Sequence, residues 1–347
     1  MIKKAENIIV GISIGDLNGI GSEVILKTFE DSRMLEFCTP VIFANVKTLS
    51  FVKKTFELTS ILHGIDRLDQ IVHGKINVLN VWQENVAIQF GVNDERIGQY
   101  AIQSFVAATK ALKALQVDVL VTAPINKYNI QADDFKFPGH TDYLNQELEG
   151  DALMFMVQDN LKVGLLTDHI AINEVAKHLT EELIVKKIET IKQSLIQDFS
   201  INKPKIAVLG LNPHCGDGGV IGKEEDEIVK PTLKKIVEKG TLVFGPFAAD
   251  GFFGSNQYEQ FDAIIATYHD QGLVPFKTLS FGNGVNYTAG LNRVRTSPDH
   301  GTAYDIAGKG KADFNSFKEA VYLAIDIFNS RIQYAEISQR PLKIKEK

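Results

Sequence analysis

The sequence has little of what marks several large classes of protein. Among its 347 residues are two cysteines, Cys38 and Cys215, which lie far apart and lack CxxC spacing. This excludes a disulfide framework and a thiolate-rich zinc site, and it fits a reducing compartment. No run reaches the roughly 18 apolar residues of a membrane span, and the N-terminus lacks the apolar core of a signal peptide. We therefore expect a cytoplasmic protein.

The chain also lacks an excess of positive charge. Its formal net charge is −6 at pH 7, so no overall basic field attracts nucleic acid or an anionic membrane. We therefore expect neither nucleic acid nor a membrane as a partner. Any anionic substrate must be held by a local cluster of cations.

Short apolar, β-branched runs alternate with amphipathic helical segments along the whole chain. The patterns predict strands at 7–14, 40–44, 75–81, 117–122, 162–167, 205–211, 241–244 and 262–268. They predict helices at 95–115, 181–199, 224–239 and 316–334. Several strands are apolar throughout, as expected for central strands that are covered on both faces. This alternation indicates an α/β fold with a largely parallel sheet.

Three of the eight histidines share one context: His169, His214 and His269 each follow an apolar strand run. In parallel α/β sheets, ligands bind beyond the carboxyl ends of the strands. Three imidazoles there suit one divalent cation and leave coordination positions open to substrate. The alternative is that each histidine only forms hydrogen bonds at its strand end. Three carboxylates accompany this set and are candidates for orienting the imidazoles or acting as bases: Asp168, Asp250 and Asp270.

Glycine-rich segments offer candidate anion sites. The loop 15–23 follows the first strand and opens a helix whose backbone amides could bind an anion, but it has neither GxGxxG nor GK[ST] spacing. A tight turn capped by Ser22 is the alternative. In 277–295, loop glycines mixed with lysine, asparagine and arginine suggest a clamp for phosphate or carboxylate. The turn 138–141 (PGHT) offers further polar groups for a small anion.

Several short motifs are far more specific together than any one of them alone. They are 15–21 (GDLNGIG), 122–127 (TAPINK), 138–141 (PGHT), 211–214 (LNPH) and 268–272 (YHDQG). With them, the chain resembles the 4-hydroxythreonine-4-phosphate dehydrogenase (PdxA) family of vitamin B6 biosynthesis over essentially its full length. The tail 299–308 more distantly resembles the adenine-side loop of isocitrate and isopropylmalate dehydrogenases.

The resemblance implies a fold of two α/β/α domains of the isocitrate/isopropylmalate dehydrogenase type. The N- and C-terminal segments, 1–130 plus 285–347, would form the first domain. The middle segment, 131–284, would form the second and carry the metal ligands and dimer contacts. The resemblance also implies a homodimer with its active site at the interface, so the three histidines need not come from one chain.

The activity that the resemblance implies is NAD-dependent (or NADP-dependent) oxidation and decarboxylation of 4-(phosphooxy)-L-threonine to 3-amino-2-oxopropyl phosphate. It requires a divalent metal, which could be zinc, magnesium or cobalt. The metal ligands carried over are His169, His214 and His269. The substrate-binding positions are His140, Thr141, Lys277, Asn286 and Arg295. The cofactor loop supplies Gly301, Thr302 and Asp305. The candidates for the general base are Asp250, Asp270 and Lys127.

Two departures from the family pattern bear on substrate specificity. The chain has Leu17 where the family often has proline, and the order Leu-Val-Pro at 273–275 where the family has Leu-Pro-Val. Close paralogues oxidise 4-phosphothreonate or 4-phosphoerythronate, and these substrates stay open as alternatives. A metal-dependent hydrolase or aldolase with three histidines is another alternative, and it would need no NAD. A related fold also serves phosphate acyltransferases, which have no use for a three-histidine site.

Overall fold

In a computed structural model of the chain, residues 7–132 and 135–339 are described. They group into two units. Unit 1 contains the described residues up to Ala152 and Val285–Ile325, and unit 2 contains Leu153–Gly284 and the described residues from Asp326 onwards. The sequence predicts two domains, 1–130 plus 285–347 and 131–284. Whether these segments fold independently stays a prediction.

The strands alternate with helices along the chain, as the sequence predicts for an α/β fold. They are β1 (Ile8–Ser13), β2 (Cys38–Ala44), β3 (Leu62–Ile65), β4 (Ile76–Asn80), β5 (Val119–Thr122), β6 (Gly150–Gln158), β7 (Leu161–Leu165), β8 (Ile206–Leu209), β9 (Val243–Phe247), β10 (Ala263–Ala266), β11 (Val285–Leu291) and β12 (Val294–Pro298). Every residue of β2, β5, β8 and β10 is buried, which explains why their sequences are mostly apolar.

The helices are α1 (Gly21–Thr28), α2 (Met34–Phe37), α3 (Val46–Thr55), α4 (Glu95–Lys113), α5 (His140–Glu147), α6 (Val175–His178), α7 (Glu181–Gln197), α8 (Lys230–Glu238), α9 (Ala249–Gly254), α10 (His269–Ser280) and α11 (Asn315–Ser338). Side chains cap three of them at the N-terminus, since Asn45, Asp94 and Thr180 accept hydrogen bonds from the first-turn amides of α3, α4 and α7. A π-helical turn, Glu225–Val229, directly precedes α8.

The sheet of unit 1 has the strand order β3-β4-β2-β1-β5-β12-β11. Neighbouring strands from β3 to β12 pair in parallel, whereas β11 is antiparallel to β12. Helix α4 packs on this sheet, and its Phe105 and Leu112 belong to one apolar cluster with Phe43 of β2 and Leu120 of β5. The carboxyl ends of β1 and β5 therefore lie at one edge of a firmly packed sheet.

The sheet of unit 2 has the order β6-β7-β10-β8-β9. Strands β7, β10, β8 and β9 are parallel, and β6 is antiparallel to β7. Its core contains Met156, Val163, Leu209, Phe252 and Phe276. Because β7 and β8 flank β10 in the same direction, the segments that follow these three strands emerge at one edge of the sheet.

All eight predicted strands and all four predicted helices are present, with ends shifted by a few residues. The interpretation of 277–295 as a glycine loop was wrong, because this segment contains the end of α10, all of β11 and the start of β12. The proposed Ser22 cap was also wrong. The N-cap of α1 is Ile20, and the buried Ser22 hydroxyl has no hydrogen-bond partner among the described residues. Within the described ranges, no helix combines the length and apolarity needed to cross a membrane.

Candidate functional site

Arg295, on β12, is a charged side chain buried in unit 1 and is only 2 % exposed. Its guanidinium donates hydrogen bonds to the hydroxyls of Thr122 (Nε, 3.0 Å) and Thr288 (3.1 Å), and to Nδ1 of His140 (3.1 Å). Among the described residues, none of these partners is a carboxylate. Burial lowers the pKa of Arg295 to about 9, which still leaves it charged near neutral pH. A buried cation is costly without a counter-ion, so the geometry indicates an anionic ligand.

His140 begins α5, and its ring packs against Phe105 with the ring centroids 4.5 Å apart. Because Nδ1 accepts a hydrogen bond from Arg295, the proton of the neutral ring lies on Nε2. That Nε2 is buried and has no hydrogen-bond partner among the described residues. Burial and the positive charges of Arg295 and Lys127 lower the pKa of His140 well below its usual value. His140 is therefore a neutral donor beside a buried cation.

The N-terminus of α5 adds backbone donors to this cluster. Its N-cap, Gly139, provides no side-chain hydrogen bond, so the amides of the first turn, which include that of half-buried Thr141, have no cap. A helix N-terminus favours negative charge. The exposed Lys127 reaches this turn, since its Cε lies 3.8 Å from the position that a Cβ on Gly139 would take. Backbone amides, a guanidinium and an imidazole together form a set of donors that suits an anion.

Asn286 lies on the same strand as Thr288, two residues earlier, so their side chains share one face of β11. Its Oδ1 is buried and has no described hydrogen-bond partner. Thr288 is one of the two threonines that bind Arg295. Unit 1 thus brings together four of the five predicted substrate-binding residues: His140, Thr141, Asn286 and Arg295. The fifth, Lys277, is an exposed residue of α10 in unit 2.

The three predicted metal ligands all lie in unit 2, beyond the carboxyl ends of adjacent parallel strands. His169 follows β7, His269 is the first residue of α10 after β10, and His214 follows β8. The rings of His169 and His269 are neighbours, with centroids 5.8 Å apart. Nδ1 of His269 lies 2.7 Å from a carboxylate oxygen of Asp270, which orients the ring and directs Nε2 away from it.

A complete metal site is not formed within the described part of one chain. No group of three or more histidine, cysteine, aspartate or glutamate side chains there is arranged to hold a metal ion. Of the three predicted ligands, His169 and His269 are shown as ring neighbours, and imidazole is a side chain that suits zinc. The assignment of all three histidines, His169, His214 and His269, as metal ligands stays a prediction. So do the base candidates: Asp250 in α9, Asp270 beside His269, and the exposed Lys127.

The predicted cofactor loop, which contains Gly301, Thr302 and Asp305, lies in unit 1 and is held by its own neighbours. The amide of Ile20 donates to the carbonyl of Thr302 at 3.0 Å. A side chain at Gly19 would lie 2.8 Å from that carbonyl, which explains the glycine. Asp305 itself is exposed.

A hydrogen-bonded network that sequence reasoning missed anchors this loop. The hydroxyl of Tyr304 donates to the buried carboxylate of Asp16 at 2.7 Å and accepts from the amide of Asn126 at 3.1 Å. Burial, with the bond to Asp16, raises the pKa of Tyr304 well above its usual value. Asp16 and Asn126 belong to the motifs 15–21 and 122–127. A polar side chain close to glycine or proline in each motif was the sequence feature that could have indicated this network.

The fold and these features define a class: an α/β protein with a buried arginine that has no carboxylate among its described hydrogen-bond partners, and with neighbouring imidazoles beyond its strand ends. The family model described as "Pyridoxal phosphate biosynthetic protein PdxA" matches residues 36–324. The chain belongs to this family.

Similar proteins agree with this membership. The 4-hydroxythreonine-4-phosphate dehydrogenase of Bacteroides thetaiotaomicron is 46% identical over 336 residues, which cover 96% of this chain and 92% of that protein. The crystal structure of 4-hydroxythreonine-4-phosphate dehydrogenase from Klebsiella pneumoniae has a TM-score of 0.80 at 31% identity and covers 94% of this chain and 99% of that one. A terephthalate 1,2-cis-dihydrodiol dehydrogenase from Burkholderia xenovorans shares the fold, with a TM-score of 0.60 at 24% identity, covering 92% and 98% of the two chains.

Proposed function

We propose that this chain is an NAD-dependent oxidoreductase that oxidises and decarboxylates 4-(phosphooxy)-L-threonine in the cytoplasm. The products would be 3-amino-2-oxopropyl phosphate, carbon dioxide and NADH, as one step in the synthesis of pyridoxal 5'-phosphate. The observation that carries the proposal is Arg295, a buried cation whose described hydrogen bonds include no carboxylate. The relatives named 4-hydroxythreonine-4-phosphate dehydrogenase support the choice of substrate.

Arg295 and His140 would bind an anionic group of the substrate. Thr122 and Thr288 hold the guanidinium in place, so little reorganisation is needed when the anion enters. His140 stays neutral and offers its Nε2 proton as a further donor, since Arg295 occupies Nδ1. The open amides at the start of α5 complete the donor set. Asn286 can accept a hydrogen bond from a hydroxyl or ammonium group through its buried Oδ1.

The redox chemistry needs two groups that the protein binds. When bound, a divalent cation supplies Lewis acidity and NAD supplies the hydride acceptor. His169, His214 and His269 would hold the cation, which we propose to be zinc, magnesium or cobalt. One of three residues, Asp250, Asp270 or Lys127, would take the proton of the substrate hydroxyl.

The cofactor would lie against the loop with Gly301, Thr302 and Asp305. Asp305 presents an exposed carboxylate there, and a carboxylate accepts hydrogen bonds from ribose hydroxyls but repels a 2'-phosphate. This favours NAD over NADP. We assign the two-domain fold of the isocitrate/isopropylmalate dehydrogenase type as part of the same proposal.

We further propose that the working enzyme is a homodimer whose active site uses residues of both chains. Two of the three predicted metal ligands, His169 and His269, are neighbours in one chain. Among the described residues of that chain, no group of three potential ligands is arranged to hold a metal, which supports a contribution from a second chain.

The decisive experiment follows NADH formation from 4-(phosphooxy)-L-threonine, with and without a chelator, while released carbon dioxide is measured. We expect one carbon dioxide for each NADH, loss of both with chelator, and recovery on adding a divalent metal. A higher kcat/KM with 4-phosphothreonate or 4-phosphoerythronate would assign the chain to a paralogue. Substrate cleavage that proceeds equally well without NAD would identify a hydrolase or aldolase and overturn the proposal.

A further inference from the structure

We infer that Glu225, which lies outside every motif quoted above, is a positioning residue that fixes the backbone turn carrying His214. This inference rests on the proposed function, in which His214 is a metal ligand. Glu225 begins the π-helical turn before α8 and is fully buried at 0 % exposure. It would act on the metal only through this turn.

The turn that carries His214 is a run of left-handed backbone. Residues 214 to 218 have φ values of 53°, 54°, 78°, 46° and 63°. Two of the five are glycines, which adopt this conformation freely, but His214, Cys215 and Asp217 carry a Cβ that disfavours it. A strained segment of this kind persists only where its surroundings hold it. The contacts that hold it are therefore part of the way in which His214 is presented.

The carboxylate of Glu225 binds the residue at the entrance to this turn. One oxygen accepts from the backbone amide of Asn212 at 2.7 Å, and the other accepts from the side-chain amide of Asn212 at 2.9 Å. Asn212 in turn accepts, through its carbonyl, from the amide of Cys215 at 3.0 Å. The two bonds to Glu225 fix the backbone and the side chain of Asn212, and a third bond runs from its side-chain amide to Glu224 at 2.7 Å. The bond from the Cys215 amide ties the residue after His214 to the fixed Asn212.

Two glycines leave room for the carboxylate. A Cβ on Gly210 would lie 3.1 Å from one oxygen of Glu225, and a Cβ on Gly216 would lie 3.0 Å from the other. Gly216 is also in the left-handed run, with φ of 78°. The carboxylate of Glu225 therefore lies against both ends of the segment 210–216, with His214 between them.

An acidic side chain is an unfavourable choice for this fully buried position. The described hydrogen bonds of its carboxylate both come from Asn212. A buried carboxylate bound only by amides is costly for stability, and an apolar side chain would avoid that cost. What an apolar side chain cannot provide is the pair of acceptors that bind the backbone amide and the side-chain amide of Asn212. We therefore attribute the presence of a carboxylate here to its role in holding Asn212, and with it the turn, in place.

The test compares metal binding in the full-length variant Glu225→Gln with that in Glu227→Gln. Glutamine has the shape of glutamate but offers one acceptor, so its amide group would face a donor of Asn212. Glu227 is an exposed residue of the same π-helical turn and serves as the matched control. Binding of Zn²⁺ and Co²⁺ is measured by competition with a chromophoric chelator, and the absorption spectrum of bound Co²⁺ reports the ligand geometry.

We expect Glu225→Gln to weaken metal binding by about 10- to 100-fold, as is typical when a group that orients a metal ligand is lost. The Co²⁺ spectrum should change, and kcat at saturating metal should recover most of its value. Glu227→Gln should bind metal like the wild type. If Glu225→Gln does not fold, Glu225→Asp keeps the charge on a shorter side chain, reaches Asn212 with one oxygen, and should weaken binding in the same direction.

His214→Ala separates the inference from the proposed function. If His214→Ala loses metal binding while both Glu225 variants bind like the wild type, the inference is wrong and the metal site stands. If His214→Ala itself binds metal like the wild type, the assignment of His214 fails, and the role given to Glu225 fails with it.

Discussion

Arg295 shows how much the environment of one residue determines its chemistry. The pattern of glycines, lysine and arginine around it suggested an anion clamp on a loop, whereas the residue lies on a strand, where it is 2 % exposed. A buried charge loses the stabilisation that water gives to a charge on an exposed loop, so neighbouring protein or ligand groups must provide it. Two threonines supply part of this, and an anion would supply the rest.

The first prediction concerns the guanidinium of Arg295. Arg295→Lys keeps the charge but loses the planar fork, so the KM for 4-(phosphooxy)-L-threonine should rise by about 10- to 100-fold, equivalent to about 1.5–3 kcal/mol for a hydrogen bond to a charged group. Steady-state kinetics measures this. Arg293→Lys, a change in a less buried arginine two residues earlier, is the control and should shift KM less than twofold. Equal effects in both variants would contradict the assignment.

The second prediction concerns the protonation of His140. Its pKa is lowered in the folded state, so below about pH 6.5, the ordinary histidine value, the unfolded chain binds a proton that the folded chain does not. His140 therefore makes the free energy of unfolding fall as pH falls, by up to about 1.4 kcal/mol per pH unit. Above the ordinary histidine pKa, His140 does not lower the free energy of unfolding in this way.

Urea unfolding at about pH 7 and about pH 5.5 measures this effect of His140. His140→Gln should lose less stability between these conditions than the wild type does, because the titrating group is gone. His178→Gln removes an exposed histidine and should behave like the wild type. The same pH dependence in all three proteins would refute the prediction.

At the scale of elements, parallel strands explain why residues far apart in sequence meet. Strands β7, β10 and β8 are neighbours and run in one direction, so the residues that follow them emerge side by side. This is why His169 and His269 are ring neighbours although 100 residues separate them. Because each histidine follows an apolar strand run, the sequence predicted that they lie at one edge of the sheet, although it did not give the order of the strands.

The third prediction concerns the loop that Tyr304 anchors. Tyr304→Phe removes a donor to Asp16, which is 1 % exposed, and so should lower the free energy of unfolding by about 1–3 kcal/mol. Because the same loop carries the proposed NAD contacts, the KM for NAD should rise more than the KM for the other substrate. Urea unfolding and kinetics measure these effects. Tyr128→Phe, at a residue 69 % exposed, should change neither.

At the scale of the whole molecule, the fourth prediction concerns sharing of the metal site between two chains. Single alanine variants of His169, His214 and His269 should each be inactive. If one ligand comes from the partner, mixing two variants after reversible dissociation restores one intact site in each mixed dimer, which is about a quarter of wild-type activity for random pairing. Two of the three possible mixtures should recover activity. Recovery in none of them would show that each site uses the histidines of one chain.

The sequence by itself determined the fold class, the main strands and helices, and the strand-end positions of the histidines. These follow from hydrophobic periodicity, which is local and survives in the sequence wherever a strand or helix is buried on a defined face. It also carried the family membership through its motifs. It did not reveal β11 and β12, because glycine and polar residues in 282–295 have the composition of a loop and become strands only through pairing with each other and with β5.

Tertiary structure alone decided which polar groups meet. Asp16 and Tyr304 are 288 residues apart, and Arg295 and Thr122 are 173 apart, so no sequence window contains either pair. Whether a polar side chain is an exposed loop residue or a buried member of a network depends on how the sheet brings strands together. The same is true of Glu225, which reads as one of several acidic residues near the start of a helix and proves to be buried against the turn that carries His214.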